Sequence, residues 1–172
     1  MITSTKEKPL PYEPDSLYSE IAPNLFMGGT DDLDVIQLPA RNRKRDELPF
    51  EAIVTMYAWA RPADWQVQEF RYGVPDASIA DIDLRRLREA VDFGFNRWKS
   101  GDRVLVRCQA GLNRSGLVTA LILMLDGLSA KDAIKVIRTN RAQLALFNHD
   151  FVTWLLTEGA NFLAPSSSQD AA

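Results

Sequence analysis

The segment from Arg103 to Leu125 constrains the chain more than any other. Arg103-Val104-Leu105-Val106-Arg107 is a short β-rich run, the pattern of a central strand. From Leu117 to Leu125 the chain is apolar on nearly every side, which predicts a helix buried in the middle of a domain. Between the two lies the loop Cys108-Gln109-Ala110-Gly111-Leu112-Asn113, followed by Arg114-Ser115-Gly116 at the head of the helix.

The rest of the chain alternates in the same way. Leu17–Ile21 and Leu25–Gly28 read as short strands closed by Gly28-Gly29, and Ala52–Tyr57 and Val67–Val74 as two more. Leu84, Leu87, Val91, Phe95 and Trp98 recur at helical spacing, with Arg85, Arg86, Arg88 and Glu89 on the other face. Asp81 or Asp83 can cap that helix and Gly101 can end it. Gly127 stops the apolar helix, Ser129 caps another to about Asn140, and a last one runs from Asn148 to Glu158. The alternation predicts an α/β fold, a sheet covered by helices.

With 172 residues, 46% of them hydrophobic, the chain fits one domain with one core. Residues 1–16 are expected to form a loose arm, 17–164 the domain and 165–172 a disordered tail. The run 40–49 reads as a charged, solvated loop. No apolar leader opens the sequence and its longest apolar run is too short for a bilayer, so the expectation is a cytoplasmic protein without a membrane partner. A net charge of −3 gives no field drawing it to nucleic acid. One cysteine excludes an internal disulfide, and one cysteine with one histidine does not make the usual zinc site, so metal-free chemistry is expected.

The junction between strand and buried helix has its own chemistry. A loop there aims unpaired backbone N–H groups and the positive end of the helix dipole at one point. Gly111 lets the backbone curl so that these groups converge on an anion. A phosphate dianion suits that cradle. The same field favours a thiolate, and cysteines at helix N-termini have pKa values lowered to roughly 3.5–7.5. Cys108 is therefore the candidate nucleophile, acting without a separate base. Arg114 can fold back over the loop and grip two phosphate oxygens, while the backbone of Gln109, Ala110, Gly111, Leu112, Asn113 and Arg114 binds the rest.

Cys108-x5-Arg114-Ser115-Gly116, with Gly111 three residues after the cysteine, resembles the signature loop of the protein tyrosine phosphatases. The chain's size and short elements favour the dual-specificity branch. The similarity runs from Leu25-Phe26-Met27-Gly28 to the closing Asn148-x-x-Phe151 helix. It implies the fold of that family, a central mixed sheet flanked by helices, and a phosphomonoester hydrolase that forms a phosphocysteine and needs no cofactor. By the resemblance Ser115 hydrogen-bonds the sulfur and helps it leave in the second step. The family also uses an aspartic acid roughly thirty residues before the cysteine. Asp76 precedes Cys108 by 32 residues and Asp81 by 27. Asp76 is preferred, because Asp81 has a ready role as a helix cap.

Arg107 stands where the family usually has His, and either tunes the thiolate or points to the opposite side of the strand. His149 at the start of the last helix is read as a cap or surface residue rather than a catalytic one. Arg138 and Arg141 are expected to cover a helix-to-loop corner. Tyr57, Trp59 and Trp65 around Arg61-Pro62 form either a recognition wall beside the pocket or a packed corner.

The resemblance implies a phosphorylated protein as the partner, carrying phosphotyrosine or phosphoserine/threonine. RNA 5′-phosphatase activity is the alternative, since Gly111-Leu112-Asn113-Arg114-Ser115-Gly116 is similar to the Gly-x-Asn-Arg-Thr-Gly stretch of that subgroup. Phosphoinositide activity ranks third, because Gln109, Leu112 and Asn113 offer no lysine inside the loop. A catalytically silent phosphate-binding module is the reading from outside enzymology.

Overall fold

The computed structural model describes residues 12–30 and 49–165. Five strands, β1 (Tyr18–Ala22), β2 (Leu25–Gly28), β3 (Ala52–Thr55), β4 (Gln68–Arg71) and β5 (Val104–Arg107), form one sheet in the order β1-β2-β5-β3-β4. β1 and β2 are antiparallel; every other neighbouring pair is parallel. The mixed sheet flanked by helices is the architecture expected. β5 sits at its centre, as its Val-Leu-Val run demands.

Parallel pairing has a consequence for function. Gly28, Arg107, Thr55 and Arg71 lie in register, so β2, β5, β3 and β4 all leave the sheet at one edge. The loops that follow them gather there, as ligand sites do in parallel sheets. β3 and β4 end sooner than the apolar runs predict, because beyond Thr55 and Arg71 the backbone turns into these loops.

Alternation along the strands builds two apolar layers. Leu25, Met27, Val54, Val104 and Val106 face the main core with α1 (Leu84–Lys99) and α2 (Arg114–Leu125). Phe26, Ile53 and Leu105 face the other way and pack with Phe50. α2 is surrounded by α1, α3 (Ala130–Asn140), α4 (His149–Thr157) and β5. Leu117 to Leu123 are all buried, which explains a helix with no polar stripe. Each large side chain among them contributes roughly 1.5–3 kcal/mol on burial, and the helix is a rigid mount for whatever its N-terminus holds.

The caps are specific. The Asp83 carboxylate accepts from the N–H groups of Arg85 and Arg86 at 2.9 and 3.3 Å, so Asp83 and not Asp81 caps α1. Asp81 instead closes a 3-10 turn, Ile79–Asp81. Gly101, with φ +96°, follows the end of α1. Ser129 and Asn148 cap α3 and α4. A short fifth helix, α5 (Gly159–Leu163), continues beyond the last helix expected.

Residues 12–17 run against the body: Leu144 N–H donates to Tyr12 O at 2.9 Å, and Arg141 Nη1 to Ser16 O at 2.8 Å. The start of the expected arm, most of the charged run 40–49 and the end of the tail lie outside the described residues. Among the described residues no helix is long and apolar enough to cross a membrane.

Candidate active site

Cys108 follows β5 directly, its N–H donating to Gly28 O at 3.2 Å. The next five residues turn through the loop into α2. Gly111 has φ +68°, and a Cβ on it would lie 2.3 Å from the carbonyl carbon of Gly28. Only glycine meets both requirements. Gly28-Gly29, read from sequence as a strand ending, is thus the wall against which the loop packs.

The loop is polarised. Three of its carbonyls are engaged outside it: Gln109 O accepts from Thr30 N–H at 3.0 Å, Gly111 O from Arg141 Nε at 3.1 Å and Leu112 O from Leu146 N–H at 3.2 Å. Among the described residues nothing accepts from the N–H groups of 109–113. With the carbonyls engaged outside, these donors and the N-terminus of α2 are left for an anion. Asn113, which precedes α2, makes no capping bond to it, so the first-turn donors stay open.

Three side chains complete the cradle. The Cys108 sulfur is buried and lies 3.2 Å from the Ser115 hydroxyl. Arg114 is also buried, donating from Nη1 to Val74 O at 3.2 Å, with its guanidinium 5.2 Å from the centre of the Tyr57 ring. Its Nε is buried without a partner among the described residues. An orphaned guanidinium N–H at the mouth of an open anion nest fits a phosphate oxygen.

Arg141 is a residue whose part sequence reading missed. It is buried, and besides Gly111 O it reaches Ser16 O, Ser19 Oγ and Leu17 O at 2.8, 3.1 and 3.0 Å. Burial pulls its pKa down, while the charges of Cys108 and Asp15 oppose that shift. A second buried guanidinium thus braces the loop through its Gly111 carbonyl. Nothing local in the sequence marks this contact, which joins α3's end to β1's approach.

Asp76 comes to the site and Asp81 does not show a tie to it. Asp76 Oδ2 accepts from Asn113 Nδ2 at 3.0 Å and Oδ1 from Asn148 Nδ2 at 2.9 Å. The expected reason for setting Asp81 aside does not hold, since Asp83 is the cap, but the preference for Asp76 gains this direct link to the loop.

Arg107 points away. It shares the parity of Leu105, so its side chain lies on the face opposite Val104 and Val106. There it donates to Thr55 Oγ1 at 2.8 Å, Arg61 O at 2.6 Å and Glu69 Oε1 at 2.9 Å. Glu69 also accepts from Thr55 Oγ1, Ala63 N–H and Arg71 Nη1. Burial alone would raise the Glu69 pKa; the hydrogen bonds from Thr55, Ala63 and Arg107 and the charge of Arg71 hold it below 4.5. The cluster pins the 57–66 loop. Trp59 and Trp65 on that loop are 81% and 86% exposed, which excludes the packed corner for them, whereas Tyr57 packs on Arg114. His149 is exposed, its Nδ1 beside Thr153 Oγ1.

Among the described residues no group of three or more His, Cys, Asp or Glu converges to hold a metal.

Comparison with known proteins agrees with this geometry. The model of the dual specificity phosphatase catalytic domain matches residues 41–160. Dual specificity protein phosphatase 1-A of Xenopus laevis is 34% identical over 99 residues, 57% of this chain. The match spans about a quarter of the frog protein's length, 26%. Among solved structures, human DUSP28 is 24% identical, with a TM-score of 0.71 over 88% of this chain and 99% of that one. Human tyrosine phosphatase-like serine/threonine/tyrosine-interacting protein is 22% identical, with a TM-score of 0.67 over 86% and 98%. At these identities the structural likeness speaks for the fold alone.

Proposed function

The chain belongs to the dual-specificity phosphatase family, and from that premise we propose that it hydrolyses phosphotyrosine and/or phosphoserine/threonine in proteins through a phosphocysteine. The Cys108 thiolate attacks phosphorus, the S–P bond forming as the ester P–O bond breaks. Asp76 gives its proton to the departing oxygen. Water then attacks phosphorus, its proton passes to Asp76, and the S–P bond breaks with the Ser115 hydroxyl donating to the leaving sulfur. Arg114 and the N–H groups of 109–114 hold the equatorial oxygens, where charge is spread in both transition states.

The observation that carries this reading is the 3.2 Å approach of Ser115 to the Cys108 sulfur inside a loop whose Gln109, Gly111 and Leu112 carbonyls are bonded to neighbouring segments. The catalytic unit in this reading is residues 17–164, working in a reducing compartment such as the cytoplasm, with phosphorylated proteins as partners. Release of phosphate from p-nitrophenyl phosphate separates an enzyme from a silent phosphate-binding module. A panel of phosphotyrosine and phosphoserine/threonine peptides, 5′-triphosphate RNA and phosphoinositides then identifies the substrate class. Turnover fastest on the peptides is expected; turnover confined to RNA or lipid overturns the protein-substrate reading.

A further inference from the structure

We propose that Asn113 and Asn148 are positioning residues: two amides that clamp the Asp76 carboxyl and fix it relative to the phosphate cradle. The proposal rests on the reading of Asp76 as general acid and adds to it how the acid is aimed.

The orientation of each amide is set by the backbone. Asn113 Oδ1 accepts from Asn148 N–H at 2.9 Å, which leaves its NH2 group facing Asp76 Oδ2 at 3.0 Å. Asn148 Oδ1 accepts from the N–H groups of Asp150 and Phe151 at 3.1 and 3.3 Å, the cap of α4. Its NH2 group then faces Asp76 Oδ1 at 2.9 Å and Ala77 O at 3.0 Å. A flipped amide would set oxygen against oxygen at either site, so neither side chain is free to turn over. Each carboxyl oxygen has two lone-pair directions, and the clamp occupies one on each. The proton exchanged with substrate uses the remaining ones.

The loop around Asp76 is docked by the same edge. Asp150 Oδ2 accepts from Ser78 Oγ at 3.0 Å and from Ile79 N–H at 2.7 Å. The first turn of α4 therefore holds residues 76–79, and Asn113 ties that assembly to the phosphate loop itself. An exposed aspartate on a surface turn would otherwise sample many rotamers. Held by two amides, it is kept near one geometry before substrate arrives, and misplacement by about 1 Å of a reacting group costs on the order of 10²-fold.

The test is Asn148→Ser. Serine keeps a cap on α4 but is too short to hold Asp76. Asn148→Asp keeps the cap as well and sets a second carboxylate against Asp76. The rates to compare are kcat for phenyl phosphate, whose leaving group needs a proton, and for 2,4-dinitrophenyl phosphate, whose leaving group does not. Asn148→Ser and Asn113→Ala are expected to slow phenyl phosphate roughly 10–100-fold and the activated ester less than about 3-fold, with Asn148→Asp slower still. In an Asp76→Asn background neither amide substitution should cost anything further on phenyl phosphate. Equal losses on both esters, no loss on either, or a full loss persisting without Asp76 overturns the clamp. If Asp76→Asn itself shows no leaving-group dependence, the acid assignment fails and the clamp with it, a result distinct from failure of the amides alone.

Discussion

Arg107 meets Glu69 at 2.9 Å on the face of the sheet away from Cys108. Arg107 is buried and Glu69 half-buried, and both are shared with Thr55 or Arg71, so the pair's contribution is to hold three strands and the 57–66 loop rather than to tune the sulfur. Arg107→Ala removes one of Glu69's donors and leaves Thr55, Ala63 and Arg71 in place, and is expected to cost roughly 1–3 kcal/mol, roughly 2–12 °C in Tm for a chain of this size. The acidic limb of kcat/KM should not move once substrate ionisation near pH 6 is subtracted. A shifted limb with unchanged Tm would return Arg107 to the catalytic machinery.

The same cluster predicts a pH dependence. Glu69 has its folded pKa held below the ordinary 4.5. A carboxylate depressed in this way contributes stability that is complete above its unfolded value and is lost as pH falls through the folded one. Wild-type Tm should therefore fall on acidification below about pH 4.5, and Glu69→Gln should flatten that fall while starting from a lower Tm at neutral pH. Parallel Tm curves for the two proteins across that window would remove Glu69 from the account.

Replacing Cys108 by Ser exchanges the sulfur for a much weaker oxygen nucleophile. Turnover is expected to drop on the order of 10⁴–10⁶-fold, while inorganic phosphate still binds, because the nest is built largely from backbone. Isothermal titration with phosphate beside a p-nitrophenyl phosphate assay reads both. Residual turnover near wild type would end the phosphocysteine mechanism.

At Gly111 the left-handed backbone and the 2.3 Å approach to Gly28 leave no room for a methyl group. Gly111→Ala is expected to lose phosphate binding and turnover together and to lower Tm by the equivalent of about 1–3 kcal/mol. An alanine variant with intact phosphate affinity would mean that the loop can form without this contact.

Asp76 and Asp81 separate by leaving group. Asp76→Asn should slow phenyl phosphate by about 10²–10⁴-fold and remove the alkaline limb of the pH profile. Asp81→Asn, at the exposed end of a 3-10 turn, should leave both near wild type. A steep leaving-group dependence that follows Asp81 reassigns the acid.

The loop from Cys108 to Arg114 was legible because local pattern specifies it: a β-rich run, a glycine that must turn, an arginine six residues after the cysteine and an apolar helix. What local pattern does not carry is direction and partnership. Whether Arg107 faced the sulfur depended on which side of β5 the helices chose, and nothing in its neighbours says so. Asp81 and Asp83 are two residues apart with the same side chain, and only the observed start of α1 shows which one caps it. Arg141 and Asn148 act on a loop 30 and more residues away, so their sequence surroundings, a helix end and a helix cap, describe their local task and not their distant one. Trp59 and Trp65 looked equally suited to a packed corner; the structure leaves both exposed on a loop whose backbone at Ala60, Arg61 and Ala63 is held by the Glu69 cluster.

Arg141 joins Gly111 to Ser16, Ser19 and Leu17, contacts separated by 30 to 125 positions in the chain. Contacts of such separation carry the largest loop-closure entropy and assemble late when a domain folds. The fold can be nearly complete, with α2 and its apolar neighbours in place, before the cradle has its floor. Recovery of activity during refolding should then lag behind recovery of helical signal. Fraying of β1 would silence the enzyme while leaving most of the domain folded, because low-stability openings need not spread through the core.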